Sequence, residues 1–109
     1  MSNPVLHFYR LILKCAEGQG VYVDVESEDL ADVKAKHLAD AKKRLKAEYA
    51  KAQYEPASGT YRLILKCWYT SQQPQHLSTK VEISGALTDI LPAHLTQVKQ
   101  QMQELHEQA

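Results

Sequence analysis

One stretch of seven residues occurs twice, without change, in this chain of 109 residues. Tyr-Arg-Leu-Ile-Leu-Lys-Cys occupies residues 9–15 and returns at residues 61–67. An identical heptapeptide in so short a chain is very unlikely to arise by chance, and a repeat constrains the fold more than any isolated motif does. We therefore predict two structural units of similar build.

The repeat extends into the segments that follow each heptapeptide, at a constant offset of 57 residues. Leu30, Asp32, Val33, His37 and Leu38 fall in this way on Leu87, Asp89, Ile90, His94 and Leu95. We predict a duplicated unit, with repeat 1 at about residues 5–53 and repeat 2 at about residues 60–107. Two copies are too few for a solenoid, which needs at least three. The prediction is a single domain over residues 1–109 with approximate twofold symmetry.

Hydrophobic periodicity predicts the order ββα-ββα. Apolar residues alternate with polar ones in four segments, which is typical of strands. The predicted strands cover residues 5–16, 21–25, 60–69 and 77–84. Apolar residues at steps of three and four predict two helices. The first begins with Ser27 as its N-cap and runs to about Gln53, and the second runs from about Thr88 to Glu107. Pro92 fits only in a first helical turn, or after a short preceding turn.

Chain direction then predicts the topology. If each helix returns the chain to the start of the next hairpin, strand three pairs antiparallel with strand one and the strand order is 2-1-3-4. Both apolar strand faces meet the helices on the same side, so we predict an α+β fold, a two-layer sandwich. Cys15 and Cys67 then lie toward opposite ends of the sheet, too far apart for a disulfide. We expect both to be reduced thiols in the core.

Composition excludes some classes of function. The 13 basic and 13 acidic residues balance, so net charge does not favour nucleic acid or a membrane surface. No apolar run approaches the roughly 18 residues that a membrane helix needs. The first residues lack the features of a signal peptide, so we expect a cytoplasmic protein without a membrane partner. No motif predicts a catalytic residue, a cofactor or a metal site.

The strand face that points away from the helices is the predicted binding surface. Such a face is ordinarily polar, yet this one carries apolar residues framed by charge, which is typical of a contact surface. We predict association with a second copy of the chain, or with another protein. The apolar anchors would be Phe8, Ile12, Ile64 and Trp68, with Trp68 the strongest contributor. Tyr22 completes the surface, and the basic residues that would set orientation are Arg10, Lys14, Arg62 and Lys66.

Two simpler or different uses of this face remain open. Basic residues interleaved with Phe8, Tyr22 and Trp68 on an open sheet are also the ingredients of a single-stranded nucleic-acid platform. Acidic residues on the outer strands oppose that hypothesis, because cross-strand ion pairing accounts for the basic residues. The face is otherwise a half-exposed sheet whose Arg and Lys stems cover its apolar side chains.

Two histidines supply the only enzymatic or metal-binding hypothesis. His37 and His94 are equivalent in the two repeats and lie on or beside the apolar stripes of their helices. A twofold relation would place them together, and paired histidines bind metals or transfer protons. A histidine at a boundary between helix and sheet is more commonly packed and hydrogen bonded, so this hypothesis ranks below binding.

Overall fold

The computed structural model describes residues 7–15, 18, 20–27, 29–52, 59–69 and 76–108. The four strands are β1 (His7–Cys15), β2 (Gly20–Ser27), β3 (Gly59–Tyr69) and β4 (His76–Gly85), and the two helices are α1 (Ala35–Ala52) and α2 (Pro92–Gln108). A three-residue 3₁₀ turn precedes each helix, at Leu30–Asp32 and at Leu87–Asp89. Residues 5–6 and 16 of the first predicted strand, and Gln53 at the predicted end of the first helix, lie outside the described residues. No helix in the described part of the chain is long and apolar enough to span a membrane.

The strands form one antiparallel sheet in the order β2-β1-β3-β4, which confirms the predicted α+β topology. The two heptapeptides lie side by side at its centre. Tyr9 is opposite Cys67, Ile12 is opposite Ile64, and Cys15 is opposite Tyr61. The register is thus symmetric about the isoleucine pair, and each residue of one heptapeptide faces the residue at the mirrored position of the other.

Alternation along the strands separates a core face from an open face. On β1, Tyr9, Leu11 and Leu13 are fully buried, whereas the residues between them are only half-buried. The buried residues of both helices belong to the same core cluster as the inward residues of the strands. Both helices therefore cover one face of the sheet, and the fold is a two-layer sandwich.

The predicted starts of the helices were wrong. Ser27 ends β2 instead of capping a helix, and α1 begins eight residues later, at Ala35. Between the 3₁₀ turn and the helix, Val33 is extended (φ −82°, ψ 102°), as is Ile90 before α2 (φ −84°, ψ 109°). Both side chains are fully buried, so each extended link places an additional apolar residue in the core. Pro92 is the first residue of α2, after a short turn, as one of the two predicted alternatives required.

The later helix start also changes which residues form the apolar stripes. Steps of three and four residues predict Leu91 on the second apolar stripe, but Leu91 precedes α2 and is 51% exposed. The same steps predict Ala52 on the first stripe, but Ala52 is exposed at the last position of α1. Leu38 is buried on α1, whereas its neighbour His37 is only half-buried.

The two cysteines stand at opposite ends of the central strand pair, which confirms that they cannot form a disulfide with each other. Cys67 is fully buried, and burial raises the pKa of its thiol to about 11. Cys15 is half-buried, and its sulfur forms a hydrogen bond with the hydroxyl of Tyr49 on α1. The two thiols therefore differ in access.

We expect Cys15 of the folded protein to react quickly with a thiol-specific disulfide reagent at pH 8, and Cys67 to react only after denaturation. At that pH a thiol with a pKa near 11 is ionised in roughly one molecule in a thousand, and only the thiolate attacks. Replacing Cys67 by Ala should leave the fast reaction unchanged. Two fast thiols in the native protein would contradict this placement of Cys67.

Gly85 ends β4 in a conformation that other residues rarely adopt, with φ +135°. A Cβ added there would lie against the carboxylate of Asp89. That carboxylate is held in place because its Oδ2 accepts the backbone N–H of Ala86 at 2.7 Å. The sharp turn from strand to 3₁₀ turn therefore requires glycine.

Gly85→Ala is expected to lower the free energy of unfolding by about 1–3 kcal/mol, because it combines a strained φ with a contact on Asp89. Urea denaturation followed by circular dichroism measures the change. Gly18→Ala is the matched control, since a Cβ at Gly18 would lie 4.0 Å from its nearest neighbour, the Cβ of Cys15. Equal stability of the two variants would be inconsistent with the Gly85 geometry.

Candidate interaction surface on the open sheet face

The centre of the open face is an apolar pair. Ile12 and Ile64 are opposite each other on β1 and β3, and both are half-buried without a helix above them. Tyr22 on β2 extends this row on one side and is 51% exposed, and Lys80 on β4 extends it on the other. Paired β-branched residues on neighbouring strands stabilise the sheet, but here they also leave apolar surface in contact with water.

Aromatic residues gather around Arg10 toward one end of the face. Phe8 is opposite Trp68, and their rings meet edge to face with centroids 5.8 Å apart. The guanidinium carbon of Arg10 lies 4.1 Å from the ring centroid of Tyr22, 5.5 Å from that of Trp68 and 5.8 Å from that of Phe8. An arginine among three rings gains cation–π attraction and orders the rings. This end of the face is therefore an organised cluster.

Two arginines at equivalent positions of the heptapeptides form ion pairs with the outer strands. Arg10 donates from Nε to Asp24 Oδ1 at 2.7 Å and from Nη2 to Asp24 Oδ2 at 3.1 Å, a two-point contact. The hydrogen bond to Asp24 raises the pKa of Arg10 above its ordinary value. Arg62 donates to Glu82 Oε1 at 3.3 Å. Such exposed pairs add little stability, but they neutralise much of the basic charge on the face.

All nine predicted binding residues stand on this face, in cross-strand rows. Arg10 is opposite Lys66, and Lys14 is opposite Arg62, so like charges face each other on the central strands. Among the described residues neither Lys14 nor Lys66 forms an ion pair. The arginines thus hold their charge within the chain, whereas Lys14, Lys66 and Lys80 of this face have no acidic partner within the described ranges.

Each of the two candidate histidines caps its own helix. Nδ1 of His37 accepts the backbone N–H of Lys34 at 2.8 Å, and Nδ1 of His94 accepts that of Leu91 at 2.9 Å. Each histidine is the third residue of its helix, the position from which a side chain reaches back to the N-terminal cap. Burial, and then the adjacent Lys36, lower the pKa of His37.

The structure does not bring the two histidines together. β2 ends beside the start of β1, and β4 ends opposite Gly59 at the start of β3, so the helices begin at opposite ends of the sheet. The surface depression beside His37 is lined by Lys36, Ala39, Asp40 and Lys43 and does not include His94. Within the described ranges, no three His, Cys, Asp or Glu residues are grouped to hold a metal ion.

The capping role was missed because the helix starts were misplaced. Once Ala35 and Pro92 are known as first helical residues, an acceptor two positions later is the signal of a cap.

Comparison with family models, with curated proteins and with solved structures found no match. The chemistry of the open face is therefore the evidence that bears on function.

We expect His37→Ala to lower the free energy of unfolding at pH 7.5 by about 1 kcal/mol, because the N–H of Lys34 loses its acceptor. The folded pKa of His37 is lowered, so the unfolded chain binds the proton first. The contribution of His37 is present above its unfolded pKa of about 6.5 and is lost as the pH falls through the folded pKa. The difference between wild type and variant, from urea titrations, should therefore shrink toward pH 5.

His37→Gln is the matched control, since an amide oxygen accepts the same hydrogen bond without titrating. It should retain most of the stability at pH 7.5 and lose less of it on acidification. A His37→Ala effect that is constant from pH 5 to 8 would argue against the cap.

Proposed function

We propose that this chain is a small cytoplasmic binding protein that forms a homodimer through its open sheet face. One observation carries the proposal, namely the half-buried pair of Ile12 and Ile64, with Phe8 and Trp68 beside it, on the face that neither helix covers. Both cysteines are free thiols, the state expected in a reducing compartment. No cofactor is part of the proposal.

The charges of the face suit contact with a second protein surface. Removing an unpaired charge from water costs more free energy than removing a charge that already has an ion-pair partner. Arg10 and Arg62 have such partners in Asp24 and Glu82. The arrangement favours a protein partner over nucleic acid, because Asp24 and Glu82 neutralise the two arginines that phosphates would otherwise bind.

The size of the face sets the strength expected of the contact. Four strands spaced about 4.8 Å apart and about nine residues long present roughly 600 Å² per copy. Two such faces bury roughly 1,200 Å², which lies at the lower end of specific interfaces. The affinity then depends on a few well-packed anchors, and aromatic residues and arginine are the side chains that supply most interface energy. Trp68, held against Phe8 and Arg10, is our proposed main anchor.

We also propose that the two halves arose by duplication of a ββα unit, with repeat 1 at about residues 5–53 and repeat 2 at about residues 60–107. Support comes from equivalent features that recur beyond the identical heptapeptides. Each half has an arginine paired with an acid on its outer strand, a 3₁₀ turn and a histidine cap. The symmetric register of β1 with β3 is the arrangement expected if two ancestral units joined across a twofold axis.

Trp68→Ala should weaken self-association by about 2 kcal/mol or more, because it removes the largest apolar side chain of the face. Ile64→Asp should weaken it further by placing a carboxylate at the apolar centre. Sedimentation equilibrium over a range of concentrations measures both. Gln100→Glu on α2 adds the same charge as Ile64→Asp at an exposed position away from the sheet, and should leave association unchanged.

Two results would count against the proposal. The first is wild-type mass, at every concentration, for both Trp68→Ala and Ile64→Asp. The second is retention of a labelled single-stranded oligonucleotide at low salt that is lost in Trp68→Ala, which would assign the face to nucleic acid instead.

A further inference from the structure

The two edge strands of the sheet are treated differently by the helices beside them. On the β2 edge, Arg44 of α1 donates from Nη1 to the backbone carbonyl of Tyr22 at 2.7 Å and also pairs with Asp40 at 3.4 Å. A charged side chain thus occupies part of the edge that another strand would use. The offset of 57 residues places Gln97 and Gln101 of α2 at the corresponding positions beside β4. At these two positions α2 therefore has no charged side chain to cover the β4 edge.

The outward residues of the two edge strands differ in charge as well. On the open face β2 presents Tyr22, Asp24 and Glu26, with no cation. On the same face β4 presents Lys80 and Glu82, flanked by two serines, and all four side chains are exposed. Only β4 therefore carries both signs of charge, which is what pairing with an identical strand requires.

Symmetry limits how β4 can pair with a second β4 in one continuous sheet. A twofold axis perpendicular to the sheet keeps every side chain on its own face of the sheet. The axis must therefore lie beside one residue, which is then opposite the same residue of the second copy, and cannot lie between two successive residues. An axis at Lys80 or Glu82 sets that residue opposite itself, which is a like-charge contact. An axis at Val81 sets Lys80 opposite Glu82 of the second copy, twice. It also pairs residues 77–85 and so uses nearly the whole strand.

The same operation on β2 gives no favourable register. An axis at Asp24 sets that carboxylate opposite itself, and an axis at Val25 sets Asp24 opposite Glu26. An axis at Val23 sets the ring of Tyr22 opposite the carboxylate of Asp24, and this contact forms no ion pair. No opposite charges meet in any of these registers.

The helix layer is compatible with pairing at β4. Helix α1 packs on β1 and β2, and α2 packs on β3 and β4, so each helix covers two strands. With strands about 4.8 Å apart, helices over successive strand pairs are roughly 10 Å apart, an ordinary distance for packed helices. Adding a second copy at β4 continues that spacing, and its α2 falls beside the first α2. Uncharged Gln97 and Gln101 are suited to that position.

We propose that β4 pairs antiparallel with β4 of a second copy, centred on Val81, to form a continuous eight-stranded sheet. The contact uses a different surface from the open face and does not rest on the proposed function. If both contacts form, they give a closed assembly of four copies when their twofold axes intersect at right angles, and an open array otherwise. The β2 edges remain at the outside, protected by Arg44.

A charge exchange tests the register. Lys80→Glu should raise the dissociation constant of the edge pair about tenfold or more, since two ion pairs become two repulsions. The double variant Lys80→Glu with Glu82→Lys restores opposite charges across the axis and should restore association, since the exposed Arg62–Glu82 pair that it removes adds little stability. Glu26→Lys changes an outward charge on β2 and is the control that should leave this contact unchanged. All are measured by sedimentation equilibrium, in the wild-type chain and in Ile12→Asp, which places a carboxylate at the apolar centre of the open face but has no cross-strand neighbour on β4.

The outcomes separate the two interfaces. An Ile12→Asp chain that is dimeric, becomes monomeric with Lys80→Glu and recovers in the double variant establishes the edge pair. If that chain is already monomeric at high concentration, or if Lys80→Glu has no effect, the edge proposal is overturned and the open-face proposal is untouched. If Ile12→Asp leaves the wild-type mass unchanged while Lys80→Glu lowers it, the open-face proposal fails and the edge pair stands.

Hydrogen exchange on the wild-type protein provides a second readout without any substitution. Amides of β4 around Val81 should gain protection as concentration rises through the dissociation constant, whereas amides of β2 should not. Protection of β2 instead of β4 would overturn the proposal.

Discussion

The structure depends on the antiparallel pairing of two identical heptapeptides. With Ile12 opposite Ile64, the tyrosines and leucines of both strands face the same side of the sheet, and the arginines, isoleucines and lysines face the other. Because neighbouring residues in a strand point to opposite faces, this one register decides which face the helices cover. A slip of one residue would expose the leucines and bury the basic residues.

The same register produces a face whose chemistry is balanced within the chain. Like charges meet on the central strands, where Arg10 faces Lys66, and an acid on each outer strand compensates. The two edge strands differ from each other. Arg44 donates a hydrogen bond to the Tyr22 carbonyl of β2, whereas the corresponding position beside β4 is the uncharged Gln101. Association of two copies through the open face would therefore depend on apolar packing. Association through a sheet edge would depend instead on backbone hydrogen bonds and on the register of the charges.

Much of the fold could be predicted from the sequence because period-two alternation and an exact repeat are strong local signals. Strand order, the identity of the open face and the separation of Cys15 from Cys67 all follow from them. The helix starts could not be predicted as well, since a 3₁₀ turn with an extended Val33 buries the same apolar residues that a longer helix would bury. That error concealed the role of His37, whose position relative to the first helical residue determines what its Nδ1 can reach. The ring cluster around Arg10 needs side-chain rotamers, which residue spacing does not define.

A chain that carries the same strand twice faces a problem of self-recognition while it folds. Strand β1 of one molecule could pair about Ile12 with β1 of another molecule, because β1 and β3 carry the same seven residues. Within the heptapeptide such a pair would lose few of the native contacts. The edge-to-face contact between Phe8 and Trp68 lies just outside the repeated residues and forms only when β1 meets β3. This aromatic pair thus favours pairing of β1 with β3 of the same molecule over pairing with β1 of another molecule. It therefore favours closure of each nascent chain on itself before crowded chains exchange strands.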